Sequence, residues 1–156
     1  MSETTRAPPD VRVSHDSEPS NTILAGFSAF GLAGLTAVDF LIDHDRSVYI
    51  RLSSIQVPLP FDPSGLPPYG EGSLLIGPGE GEPVKLVILA YGPVLLGEAV
   101  RAVQGEQLAD LVSVIDLPWV NAVDRDWLLT TVRTAQRVLV LDDHSPRSGL
   151  GVHIAG

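Results

Sequence analysis

Cysteine is absent from this 156-residue chain, and lysine occurs once, as Lys85. The absence of cysteine excludes disulfides, thiolate catalysis and cysteine metal sites. Ten basic residues stand against nineteen acidic ones, which gives a formal net charge of −9. So few cations cannot build a basic patch, and we therefore expect no binding to nucleic acid or to an anionic membrane.

Long apolar runs are also lacking. No segment approaches the ~18 uninterrupted apolar residues of a membrane-spanning helix, and no charged leader precedes an apolar run at the amino terminus. We therefore expect a cytoplasmic protein. The hydrophobic fraction of 44% still suffices for a core in a chain of this length.

The first part of the chain divides into a polar tail and an apolar, glycine-rich segment. Residues 1–21 are rich in Ser, Thr, Pro and acidic side chains, and this composition predicts a disordered tail. Residues 22–56 predict a strand, a helix and a second strand. The spacing of Gly26, Gly31 and Gly34 fits neither the dinucleotide fingerprint nor the nucleoside-triphosphate loop, so it favours close helix packing over a phosphate site.

Residues 57–83 are dense in proline and glycine, which predicts a linker that crosses a surface. One short strand, Ser73–Ile76, is the exception that this composition allows. Apolar, β-branched runs then alternate with helical patterns over residues 84–156. The predicted elements are strands at Val84–Ala90, Leu111–Ile115 and Arg137–Leu141, and helices at Val94–Val103 (with Gly105 as its carboxyl-terminal cap) and Asp126–Gln136.

This alternation predicts an α/β domain with three layers, in which a mostly parallel open sheet carries helices on both faces. Ligands of such sheets lie at the carboxyl ends of the strands. Asp142, Asp143 and His144 follow the last predicted strand and therefore lie at that edge.

Two interpretations of this acidic cluster remain open. His144 beside Asp142 could act as a general base. Alternatively, one of the aspartates caps the following loop and His144 contacts a neighbouring subunit, which we favour because no nucleophile accompanies them. Nearby, Asp124 is predicted to cap the second helix, and Trp119 and Trp127 are predicted to be packing anchors.

Several stretches carry a family resemblance, taken in their order along the chain. They are Val48–Ser54, Gly72–Gly79, Leu86–Gly92, Leu139–Ser145 and Gly149–Gly151. These stretches resemble the end of the pyrimidine-binding domain, the interdomain linker and the carboxy-terminal domain of the transketolase family. That family also includes deoxyxylulose-phosphate synthases and the β subunits of 2-oxoacid dehydrogenases.

The resemblance implies a transketolase-like carboxy-terminal domain over residues 84–156. The chain would be the carboxy-terminal subunit or fragment of a thiamine-diphosphate-dependent enzyme and would not be catalytic alone. It would contribute a subunit interface and border the substrate channel. Substrate binding would fall to Arg51 and His144, although Ser54 replaces the arginine with which the family grips a substrate phosphate.

The family's cofactor-binding parts are missing from this chain. The glutamate that activates the thiamine ring and the Gly-Asp-Gly metal motif have no counterpart. We therefore expect thiamine diphosphate and magnesium to be absent from the isolated chain and present only in the assembled enzyme. The partners implied are a second copy, in a homodimer, or a thiamine-diphosphate-binding subunit, in a heteromer, with the surface around His144 and Gly149–Gly151 as the interface.

A second function class is a stand-alone binding or assembly module without catalysis. The glycine-rich stretch and the missing catalytic parts suggest it. Gly26–Ala37 also resembles, over this short stretch, the proteasome-assembly-chaperone-like proteins of archaea.

Overall fold

The computed structural model describes residues 22–26, 47–51, 58–60, 67–79, 81–143, 147 and 149–155. The tail expected over residues 1–21 lies outside these ranges. So does the helix expected within residues 22–56.

The first two strands form a small sheet of their own. Strand β1 (Thr22–Gly26) and strand β2 (Ser47–Arg51) pair in parallel, with Thr22 opposite Ser47 and Gly26 opposite Arg51. Both strands lie where the sequence predicts them.

The main sheet has four strands in the order β3-β5-β4-β6. These are β3 (Ser73–Ile76), β4 (Val84–Ala90), β5 (Val112–Asp116) and β6 (Ala135–Leu141). Strand β4 is central and pairs in parallel with both β5 and β6, whereas β3 runs antiparallel on the outer side of β5. The mostly parallel sheet is therefore confirmed, and the short strand within the proline-rich segment forms one of its edges.

Helix α1 (Pro93–Gly105) covers one face of this sheet. Its apolar residues recur at three- and four-residue spacing, so they form one stripe that packs on the alternate side chains of the central strands. The buried residues of this layer are Ile88, Ala90, Leu96, Ala99, Val100, Val103, Val112 and Val114.

Helices α2 (Arg125–Val132) and α3 (Leu150–Ala155) lie on the opposite face. Trp127, Leu128 and Val132 of α2 and Ile154 of α3 pack against Val87, Leu89 and Ile115 of the sheet. The three-layer α/β prediction is confirmed. None of the helices in the described ranges is long and apolar enough to cross a bilayer.

The end of α1 differs from the prediction. Gly105 is the last helical residue, and the residue with positive φ is Gln107, at 55°. The amide of Gln107 donates to the carbonyl of Gln104, and the amide of Leu108 donates to the carbonyl of Val103. This is the Schellman arrangement with glutamine at the left-handed position, so the prediction of Gly105 as the cap was wrong.

Helix α2 is also shorter than the predicted Asp126–Gln136. It ends at Val132, and β6 begins at Ala135 opposite Val84. Thr134 marks the change of direction, since its hydroxyl donates to the carbonyl oxygen of Glu82 at 2.9 Å. Residues 135 and 136, which were predicted to be helical, therefore belong to β6, because this strand pairs with β4.

Candidate functional site

The carboxyl ends of the three parallel strands meet at one edge of the main sheet. Ala90, at the end of β4, lies opposite Asp116 of β5 on one side and opposite Leu141 of β6 on the other. The residues that follow β4 and β6, Tyr91 and Asp142, are thereby brought to the same edge. This is the edge at which open α/β sheets hold their ligands.

Hydrogen bonds to both of its carboxylate oxygens hold Asp142 in place. The Tyr91 hydroxyl donates to Oδ1 of Asp142 at 2.9 Å, and the amide of Gly151 donates to Oδ2 at 3.4 Å. Gly149 passes so close that a β-carbon at this position would run into the same carboxylate. The half-buried Asp142 thus joins the end of β4 to the first turn of α3, which is the geometry of a loop cap.

The Gly149–Gly151 segment is not an exposed turn. It leads into α3, and Leu150 is 0% exposed, packed in one cluster with Tyr91 and Leu117. The expectation that Leu150 contributes to a subunit interface is therefore wrong. The reason is that the helix turns this side chain toward the core beneath the strand ends.

The other candidate residues are placed only in part. Asp143 is exposed at the same edge. Arg51 ends β2, and its main chain pairs with Gly26. The side chain of Arg51, and all of His144, lie outside the described part of the structure. The substrate-binding role of both stays a prediction.

Residues 67–70 of the proline-rich segment lie against this edge, a contact that the linker interpretation did not foresee. Trp119 Nε1 donates to the carbonyl oxygen of Pro68 at 2.9 Å, and the Tyr69 ring meets the Trp119 ring edge-on, with centroids 5.2 Å apart. The amide of Asp124 donates to the carbonyl of Gly70 at 2.8 Å. Trp119 is 3% exposed, which confirms it as a packing anchor.

Gly70 is the residue that makes this contact possible. Its φ is +85°, and a β-carbon there would lie 2.8 Å from the carbonyl oxygen of Ala122. The signal in the sequence was the Pro-Pro-Tyr-Gly string at 67–70, in which an aromatic side chain sits among turn residues. That composition resembles an ordinary linker, so only the folded chain reveals the contact.

Helix α2 begins beside this segment, and Asp124 caps it as the sequence predicts. The Asp124 side chain accepts a hydrogen bond from the amide of Trp127 at 2.8 Å, which satisfies one of the unpaired donors of the first turn. Trp127 itself is half-buried and packs against the sheet with Leu128. Asp124 and Trp127 therefore have the structural roles that the sequence indicated.

Within the described ranges, no group of three or more His, Asp or Glu side chains could hold a metal ion. The strand-end edge offers carboxylates and a phenol, but Asp142 is already bonded within the protein.

Comparisons with known proteins agree with the resemblance seen in the sequence. A family model described as "Transketolase, C-terminal domain" matches residues 80–156. A solved structure described as "Split gene transketolase, inactive beta4 tetramer" matches with a TM-score of 0.68 and 26% sequence identity. That match covers 86% of this chain and 43% of the other, so this chain spans less than half the length of its structural relative. No curated protein sequence matches this chain.

Proposed function

We propose that this chain, whose residues 80–156 match the transketolase carboxy-terminal domain family, is the carboxy-terminal subunit or fragment of a thiamine-diphosphate-dependent transketolase-like enzyme. The observation that carries the proposal is the agreement between the family match and the fold of the same residues, a mostly parallel sheet between two helical layers. We also propose a cytoplasmic location for this enzyme. Its reaction would also require the other domains of the family.

The cofactor is proposed to be held by another chain. Thiamine diphosphate requires a divalent cation to neutralise its diphosphate, and such a cation needs several oxygen ligands in one place. The described residues contain no group of side chains that fits this requirement. We therefore assign to the strand-end edge only the role of bordering the substrate channel.

A partner chain is supported by the free edge of the main sheet. Within the described part of the chain, strand β6 has β4 on one side and no strand on the other. Val138 and Leu139 on this strand are each 42% exposed, and successive side chains of a strand point to opposite faces. An edge strand with apolar side chains on both faces tends to pair with or be covered by another chain. The structural relative is itself described as a tetramer.

We propose that β6 takes part in subunit contact, in a homodimer or in a heteromer with a thiamine-diphosphate-binding subunit. Sedimentation velocity on the full chain tests this. Leu139→Glu should shift the protein toward the monomer, because it places a charge in a contact that excludes water. Gln136→Glu is the matched control, since it adds the same charge to an exposed polar position of the same strand. Equal behaviour of the two variants would contradict the assignment.

The cofactor proposal is tested by calorimetry. Thiamine diphosphate with magnesium, titrated into the isolated chain, should give no saturable heat, and micromolar affinity would contradict the proposal. A tagged copy of the protein, expressed in the organism that encodes it, should instead co-purify with a thiamine-diphosphate-binding chain. If the protein remains monomeric and recovers no such partner, the alternative of a stand-alone binding or assembly module is favoured.

A further inference from the structure

A cavity of about 140 Å³ lies on the α2 face of the main sheet, and its lining does not include the strand-end residues Tyr91, Asp142 and Asp143. It is half-open and is lined by β3, the loop that joins β3 to β4, β4, β5 and α2. Its apolar walls are formed by Leu74, Val87, Ile115 and Trp127. An engineered apolar protein cavity of about 150 Å³ accommodates benzene, so this volume suits a body the size of one six-membered ring.

Two glycines let the chain pass closely around this cavity. A β-carbon on Gly72 would lie 2.8 Å from Cγ2 of Ile115 and 2.9 Å from Cη2 of Trp127. Gly77 has φ +118°, and a β-carbon there would lie 2.6 Å from Cα of Ser113. Any larger residue would push the loop or the indole away, so the glycines set the shape of the walls.

The loop over the cavity is fixed at both ends by hydroxyl groups. Ser113 of β5, which is 4% exposed, donates from Oγ to the carbonyl oxygen of Pro78 at 3.2 Å. Thr134 donates to the carbonyl oxygen of Glu82 at 2.9 Å. Because both attachments are hydrogen bonds to backbone carbonyls, the cavity is a built feature of this fold and not a gap under a loose loop.

The charge of the lining selects among possible occupants. Among the described residues that line the cavity, Glu82 is the one charged residue, and none is Lys, Arg or His. Ser113, Thr131 and Thr134 add hydroxyl groups. The whole chain carries a net charge of −9, which lowers the local concentration of anions and raises that of cations. The indole of Trp127 can also attract a cation.

We propose that this cavity binds a small organic ammonium ion, with an apolar body of ring size against Val87, Ile115 and Trp127 and its ammonium group toward Glu82. An ammonium group offers three donors, which the carboxylate and the hydroxyl oxygens can accept. An anion of the same size would meet a carboxylate and no cation. This inference does not rest on the proposed enzyme, so either can fail alone.

Three probes of equal ring size test the charge preference: benzylamine, benzyl alcohol and benzoate. Binding to the ¹⁵N-labelled full chain is followed by NMR, through the indole resonance of Trp127 and the amides of Gly79 and Gly81. Benzylamine should shift these resonances and bind about threefold to tenfold more tightly than benzyl alcohol, which is the usual effect of an exposed ion pair or cation–π contact. Benzoate should produce no shift.

The variant Glu82→Gln keeps the backbone carbonyl that holds Thr134 and removes the charge. It should bring the affinity for benzylamine down to that for benzyl alcohol, while Glu106→Gln, an exposed change outside the cavity, should leave the preference intact. The proposal is overturned if benzoate binds as well as benzylamine, or if Glu82→Gln retains the preference. It is equally overturned if no probe shifts the lining resonances at about 20 mM, a concentration well above the dissociation constant of weak fragments.

Discussion

Replacing Leu150 by alanine should destabilise the protein strongly, because this side chain is fully buried at the start of α3. Leu150 is 0% exposed and packs with Tyr91 and Leu117 below the strand ends. A buried Leu→Ala change costs about 2 to 5 kcal/mol, since transfer energy is lost and a cavity remains. A loss of about 3 kcal/mol in the free energy of unfolding should lower the melting temperature by about 6 to 12 °C in a chain of this size.

The measurement is urea unfolding followed by circular dichroism at several protein concentrations. Val152→Ala is the matched control, because Val152 lies in the same helix and is 42% exposed. The control should change the free energy of unfolding by no more than about 0.5 kcal/mol. A Leu150→Ala protein that keeps its stability but loses its oligomeric state would refute this reasoning, and would return Leu150 to an interface.

Further predictions concern a helix cap, a tight crossing and a hydrogen bond. Asp124→Ala should cost about 1 kcal/mol in urea unfolding, because the first turn of α2 loses its cap, and Asp124→Asn should cost less. Gly77→Ala should lower the melting temperature far more than Gly79→Ala, since a β-carbon at Gly77 meets the backbone of β5 whereas one at Gly79 meets open space. Tyr91→Phe should cost about 1 kcal/mol and speed amide exchange in α3, as Asp142 loses a donor; unchanged exchange would contradict this.

The sequence pattern alone predicted those elements whose structure depends on residues close together in the chain. Val84–Ala90 is a strand with the predicted bounds, because a short β-branched apolar run, broken only by Lys85 and flanked by turn residues, has few other stable conformations. Asp124 caps α2 as predicted, because a cap involves only residues three positions apart. The end of α1 was predicted incorrectly, because Gln107 adopts the left-handed conformation that glycine usually adopts after a helix.

The candidate site was predictable only as a location. The alternation of strands and helices indicated that the residues after β4 and β6 would meet at one edge of the sheet, and they do. The bond from Tyr91 to Asp142 was not predictable, because it joins residues 51 positions apart whose separate surroundings look unremarkable. The contact between Trp119 and Pro68 spans the same interval.

The sequence alone therefore determined the class of fold, the absence of cysteine chemistry and the acidic surface, since periodicity and composition act locally or additively. The tertiary structure decided that β3 joins the edge of the sheet antiparallel, that Leu150 lies in the core, and that a loop closes over a cavity beside Trp127. Periodicity reports which side of each element is apolar. It does not report which distant surface will cover that side, because that choice depends on the packing of the whole chain.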